Sequence, residues 1–149
     1  MKRTTLCYPV RDGKVLLAMK KRGFGAGKWN GPGGKAKDDE SIEDTCRRET
    51  KEEVGVDVGV LEDRGVVRFV FENRSEWDNA CSIFVTSEIA GEPVETEEMR
   101  PAWYPVDALP FESMWEDDAI WLDGVLAGGA VDATFWFDQD GRMLRWETR

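Results

Sequence analysis

Glu49, Glu52 and Glu53 place three carboxylates within five consecutive residues. Carboxylate oxygens at that spacing suit two tasks, holding a hard divalent cation and taking a proton from water. The surrounding segment, Ile42 to Val54, reads as a helix, with Ser41 as its N-cap, Glu43 and Asp44 complementing the dipole of the first turn, and Gly55 as a left-handed stop. At about 100° per residue, Ile42, Cys46 and Thr50 form its less polar stripe. Glu49 and Glu53 project to the same side, and Glu52 lies to one side of them. Acids turned inward repel one another and lose hydration, so something positive must compensate them. A magnesium ion, or manganese in its place, is one compensator, because it keeps several waters and shares its coordination with substrate phosphates. The alternative is an exposed charged helix in which Arg47, Arg48 and Lys51 pair with neighbouring acids.

Composition limits the chemistry further. The chain contains no histidine, which removes the commonest general base and the Ser-His and Cys-His nucleophile pairs. Cys7, Cys46 and Cys81 are widely spaced, form no CxxC pair and read as reduced, buried thiols, consistent with a cytoplasmic setting. A net charge of -10 disfavours duplex nucleic acid as a partner, whereas a small anion can bind if a cation bridges it to the acids. The first thirty residues lack the uninterrupted apolar run of a signal peptide or membrane span, so no membrane partner is expected. At 149 residues the expectation is one domain over residues 1–149, with one core and one cleft.

Around the acidic helix lie the elements that must position it. Two hairpins are expected, Leu6 to Val10 with Val15 to Met19 around Arg11-Asp12-Gly13, and Thr134 to Phe137 with Met143 to Trp146 around Asp138-Gln139-Asp140-Gly141. Val66 to Phe71, Ala80 to Thr86 and Trp103 to Val106 read as further strands. The glycine-rich stretch from Gly23 to Gly34 reads as a loop, and a second helix is expected from near Glu116 toward Ala127. Mixed strands with two helices imply an α+β fold, an α/β/α sandwich.

Gly34, Glu40, Arg48-Glu49, Glu52-Glu53 and Gly55 stand at the fixed offsets of the Nudix box, and on those positions the chain resembles the Nudix hydrolase family. The resemblance implies a central mixed sheet flanked by helices and a loop-helix-loop in which Glu49, Glu52 and Glu53 bind metal, Gly33 contributes a backbone carbonyl and Arg48 orients an acid. Met19 to Gly31, Glu98 to Pro101, and Pro110-Phe111 through Met114 to Asp118 resemble in particular the MutT-type branch, the oxidised-purine nucleoside triphosphatases or 8-oxo-dGTP diphosphatases. What that branch implies is magnesium-dependent cleavage of a nucleoside triphosphate, 8-oxo-dGTP or 2-hydroxy-dATP for example, to monophosphate and pyrophosphate by a monomer that sanitises the nucleotide pool. Glu53 is then the first choice of base, with Glu98 as an alternative base or metal ligand. Asn30, Trp115, Asp117 and Asp118 would recognise the base, with Thr5, Lys20 and Phe24 lining the pocket and Gly34 and Lys35 also touching substrate. Two positions depart from the pattern: Thr50, where the box prefers an aliphatic residue, and Pro32, where the branch has an aromatic one. Open alternatives are a general dNTP or nucleotide-sugar pyrophosphatase, a catalytically silent nucleotide-binding module, and an acidic adaptor.

Overall fold

The computed structural model describes residues 1–149. Along the chain run β1 (Lys2–Arg11), β2 (Lys14–Lys20), β3 (Trp29–Asn30), β4 (Gly33–Lys35), α1 (Ile42–Val54), β5 (Asp57–Val58) and β6 (Glu62–Phe71). They are followed by β7 (Asn79–Thr86), β8 (Ile89–Ala90), β9 (Met99–Pro105), α2 (Asp118–Leu126), β10 (Val131–Phe137) and β11 (Met143–Thr148). Asp12 and Gly13 both take positive φ, 53° and 75°, giving the two-residue turn whose twist suits the β1–β2 hairpin.

One sheet carries the order β11-β10-β6-β7-β1-β2-β3, with β4 added beside β1 and β9 beside β2. It is mixed: β1 with β7 and β6 with β10 are parallel, and the other pairs are antiparallel. β1 belongs to two pairings at once. Thr4 to Leu6 meet β4, and Val10 and Arg11 meet β2, so one long strand pairs with the end of the glycine-rich segment in its first half and with its hairpin partner at its end. β5 and β8 form a separate two-stranded ribbon.

Alternation along the strands feeds two cores. Cys7, Leu16, Ala18 and Phe84 pack with Cys46 and Val54 of α1 on one face. Their chain neighbours Tyr8, Val15, Leu17 and Ile83 pack with Trp121, Leu122 and Val125 of α2 on the other. A helix on each face of a mixed sheet is the expected α/β/α sandwich. Each fully buried Val or Leu in these layers contributes roughly 1.5–3 kcal/mol, so the period-2 pattern decides which face each strand shows. No helix is long and apolar enough to cross a membrane.

α1 has the predicted ends: Ser41 Oγ accepts from the Asp44 N–H at 3.2 Å, worth about 1 kcal/mol, and Gly55 stops the helix at φ 80°. Thr50 costs the helix little, because its buried hydroxyl donates to the Cys46 carbonyl at 2.7 Å. Pro32 is buried, and its carbonyl accepts from the Cys7 N–H at 2.7 Å. Two expectations need correcting. Within Gly23 to Gly34, read as a loop throughout, β3 and the first residues of β4 are strand, recruited by the exposed edges of β2 and β1. The second helix starts at Asp118 rather than near Glu116, after a turn in which the Asp118 N–H donates to the Trp115 carbonyl at 3.1 Å. All three cysteines are free and buried, as expected.

Candidate active site

Arg48 is the hub of the acidic helix. Its Nε and Nη2 donate to the two oxygens of Glu40 at 2.7 and 2.9 Å, Nη1 donates to Glu49 at 2.7 Å and Glu52 at 3.3 Å, and Nη2 also reaches the Lys35 carbonyl at 3.1 Å. Paired in this way, Glu40 is held down to about 2, principally by Arg48. The same guanidinium ties α1 to the end of β4 and sets where Glu49 and Glu52 stand.

Glu53 is different. Its Oε1 accepts from the Gly33 N–H at 2.7 Å, and it forms no ion pair in the chain. Burial pushes its carboxyl up to about 7; the Gly33 bond opposes that shift, and the charge of Glu49 adds to it. Glu49 lies under Gly34, so close that a Cβ on Gly34 would fall on the Glu49 carboxylate. At Gly33 an added Cβ would fall on the backbone carbonyl of Thr5 instead. The glycines therefore bring backbone and carboxylates together at the β4–α1 corner.

These carboxylates open onto a cleft of about 950 Å³, whose lining includes Glu49, Glu52 and Glu53 together with Lys20, Lys28 and Lys35. None of those three lysines is engaged in an ion pair within the chain. Beside it, and sharing Lys20, Asn30, Gly33 and Trp115 with it, is a smaller cavity of about 380 Å³. Asp117 and Asp118 stand in that second wall, 1% and 2% exposed. Asp117 Oδ2 accepts from Trp121 Nε1 at 2.8 Å, whereas Asp117 Oδ1, Asp118 Oδ2 and Thr5 Oγ1 are buried without partners. Burial raises Asp117 to about 6, and burial followed by the charge of Asp117 raises Asp118 well above the usual carboxylate range. Orphaned buried polar atoms are costly and rare, and the three residues that carry these line the same cavity.

Every residue named from sequence except Arg48 lines one or both of these cavities, and Arg48 bonds to Glu49 and Glu52 of the larger. Thr5, Gly34, Asp117 and Asp118 line the smaller; Phe24, Lys35 and the three glutamates line the larger; Lys20, Asn30, Gly33 and Trp115 line both. Phe24 packs against Trp115 with ring centroids 5.3 Å apart. Glu98 also lines the cleft, where it is bound by Arg22, whose Nε donates to it at 2.9 Å. The acids do not close on one point: no group of three could hold a metal ion as they stand, and Arg48 supplies the positive charge beside two of them. The donor set is nonetheless of hard oxygens throughout, and Glu53 is a half-buried acid with no cation of its own, so the residues fit a divalent ion.

Sequence reasoning missed Thr4, Phe69, Phe71, Trp77, Asn79 and Cys81, which complete the walls. Trp77 sits on a 3-10 turn (Ser75–Trp77) and packs on Phe24 at 4.5 Å and Phe71 at 5.6 Å. The alternation within Val66 to Phe71 was the available signal, but it does not say which sheet face borders a cavity.

Comparison with known proteins agrees with this architecture. The profile of the NUDIX domain matches residues 1–125. The chain is 48% identical over 118 residues to the oxidized purine nucleoside triphosphate hydrolase of Danio rerio, spanning 79% of this chain and 75% of that protein. It is 40% identical over 145 residues to the protein of the same name from Mus musculus, covering 97% of this chain and 92% of the other. Among solved structures, the mutator MutT protein of Bacillus halodurans superimposes with a TM-score of 0.87 at 29% identity, over 99% of this chain and 97% of that one. With the glutamate-bearing α1 held against β4 and a domain match extending over most of its length, the chain belongs to the Nudix family, whose hydrolases generally use a divalent metal.

Proposed function

We propose that this protein hydrolyses oxidised purine nucleoside triphosphates to the monophosphate and pyrophosphate, with magnesium as its metal and manganese able to replace it. One observation carries the reading: a cleft lined by glutamates and unpaired lysines runs into a base-sized cavity whose wall holds the unpartnered oxygens of Asp117 and Asp118. The names of the zebrafish and mouse relatives support the same substrate class.

Glu49, Glu52 and Glu53, with the Gly33 carbonyl and Glu98, would hold the cation. When bound, it would supply Lewis-acid neutralisation of the polyphosphate charge. Lys20 and Lys35 hold phosphate oxygens, a necessary counterweight in a chain of net charge -10. Glu53 takes the proton of the attacking water on the carboxylate oxygen not engaged by Gly33, as the water adds across a phosphoanhydride and that P–O bond breaks. Arg48 orients Glu49 and Glu52. Trp115 stacks on the purine, worth roughly 1–3 kcal/mol, and Asn30, Asp117 and Asp118 bond its edge while Thr5 and Phe24 border it. Residues 1–149 would act as one domain and as a cytoplasmic monomer on a small nucleotide, not on duplex nucleic acid or a membrane.

The test is a panel of 8-oxo-dGTP, 2-hydroxy-dATP and dGTP with product identification, run with and without magnesium. Higher kcat/KM for the oxidised nucleotides, with pyrophosphate released only in the presence of metal, is expected. Equal efficiency for dGTP would reject the oxidised-base assignment. The Arg48 bonds to Glu49 and Glu52 favour a second reading, a metal-free nucleotide-binding module, and binding without turnover under magnesium would establish it.

The two cleft glycines give a further check. Gly33→Ala drives a Cβ into the Thr5 backbone and should cost about 1–3 kcal/mol of stability. Gly34→Ala meets only the movable Glu49 carboxylate, so its melting temperature should stay within about 3 °C of the parent while turnover falls. Equal melting losses in both would mean that Glu49 is not placed by this contact.

A further inference from the structure

Tyr8 has no exposed surface and lies on the α2 side of β1, edge-on to Trp121 with ring centroids 6.0 Å apart. Gly31 leaves room for it: a Cβ there would stand 2.9 Å from Cε1 and 3.0 Å from Cζ of the Tyr8 ring. Packed on both sides, the ring delivers its hydroxyl to one place. That hydroxyl donates to Asn30 Oδ1 at 3.3 Å, and the Gly31 N–H donates to the same oxygen at 3.0 Å. A backbone N–H can only donate, so the Asn30 atom facing it is the amide oxygen. Both of its lone pairs are then engaged. Asn30 Nδ2 bonds to nothing else in the chain, and Asn30 lines both cavities.

We propose that Tyr8 is a positioning residue: its hydroxyl, together with the Gly31 amide, pins the Asn30 side chain so that its amide nitrogen meets the base. The pocket is thereby biased toward bases that present a carbonyl acceptor at that point, as oxidised guanine does, over bases that present an amino donor there. This rests on the base-pocket reading above and adds the source of its polarity. Asn30 alone could offer either end of its amide, since the two ends are the same size. The Gly31 N–H decides which end faces it, and the Tyr8 hydroxyl adds the second bond that holds the oxygen there, so the donor end costs no reorientation when the base arrives.

The experiment compares the parent, Tyr8→Phe, Asn30→Ala and the double variant, each with 8-oxo-dGTP and 2-hydroxy-dATP under saturating magnesium. Tyr8→Phe keeps the ring and its packing, and a thermal melt verifies that the variant is folded. Losing one neutral hydrogen bond should shift the ratio of kcat/KM for the guanine over the adenine nucleotide by about three- to ten-fold toward adenine, chiefly through KM. In the Asn30→Ala background the same substitution should shift that ratio no further, because the two act as one unit. A Tyr8→Phe loss that is equal for both nucleotides, or that persists unchanged without Asn30, would overturn the proposal and make Tyr8 a packing residue. An Asn30→Ala variant indistinguishable from the parent on both nucleotides would reject the base-pocket reading as well, so the two failures are separable.

Discussion

Glu53→Gln is expected to lower kcat by about 10²–10⁴-fold, the range for removing a positioned general base, and to leave the protein folded. The substitution keeps the shape of the side chain and keeps an oxygen to accept from the Gly33 N–H, now made at 2.7 Å. It removes a charge that is half-buried, unpaired and crowded by Glu49. The metal-free variant should therefore melt at or above the temperature of the metal-free parent, which separates lost chemistry from lost structure. Glu52→Gln makes the comparison sharper. Glu52 is exposed, and its bond to Arg48 is the longest of that set at 3.3 Å, so its loss should fall mainly on metal requirement, read as a higher magnesium concentration for half-maximal rate. Near-parent turnover by Glu53→Gln would place the proton acceptor elsewhere, and Glu98, held at the cleft wall by Arg22, would be the next residue to replace.

How far the sequence foretold this arrangement depends on the kind of signal each element carries. α1 was legible at both ends because capping is local chemistry: Ser41 and Gly55 act on backbone within a turn of themselves. Both hairpins were legible for the same reason. β3 and β4 were not, because strands of two and three residues have no period, and they exist only where β2 and β1 offer unpaired edges. The site divides along the same line. Glu49, Glu52 and Glu53 share one helix, so their grouping could be computed from a helical repeat. Arg48 as the partner of Glu49 and Glu52 was weighed as an alternative to metal, and the structure places that ion pair inside the site itself. Asn30, Asp117 and Asp118 come from distant segments and were joined only by family resemblance; the structure brings them together through β1, whose Tyr8 touches Asn30 and Trp121. Asn79 escaped because its inward position follows from sheet register, which a single strand does not encode, and Trp77 because it sits on a 3-10 turn that carries no period.

Asp117→Asn should cost kcat/KM for 8-oxo-dGTP about 10- to 100-fold, the scale of a hydrogen bond to a charged group, and leave the magnesium dependence alone. Asp118→Asn should cost less. Within the pair, burial raises Asp117 to about 6 and lifts Asp118 well above the ordinary range, with Asp117's own charge adding to it, so a proton shared by the pair favours Asp118. Asp117 then accepts from the base, a role the amide nitrogen of Asn cannot fill, whereas Asp118 donates, a role it can. Stability makes an independent demand in the opposite direction. Both folded-state values lie above those of the unfolded chain, so the folded protein binds more protons, and the stabilisation is complete below the ordinary carboxylate range. It is lost as pH rises through about 6, the window in which Asp117 becomes the acceptor that the substrate needs. Melting of the metal-free parent should therefore fall over that window relative to Asp117→Asn, while its kcat/KM for the guanine nucleotide rises. If both proteins melt in parallel from pH 4 to pH 8, the buried pair does not carry this linkage. Unchanged base selectivity in Asp117→Asn would take that carboxylate out of the pocket, and the smaller cavity would need another tenant.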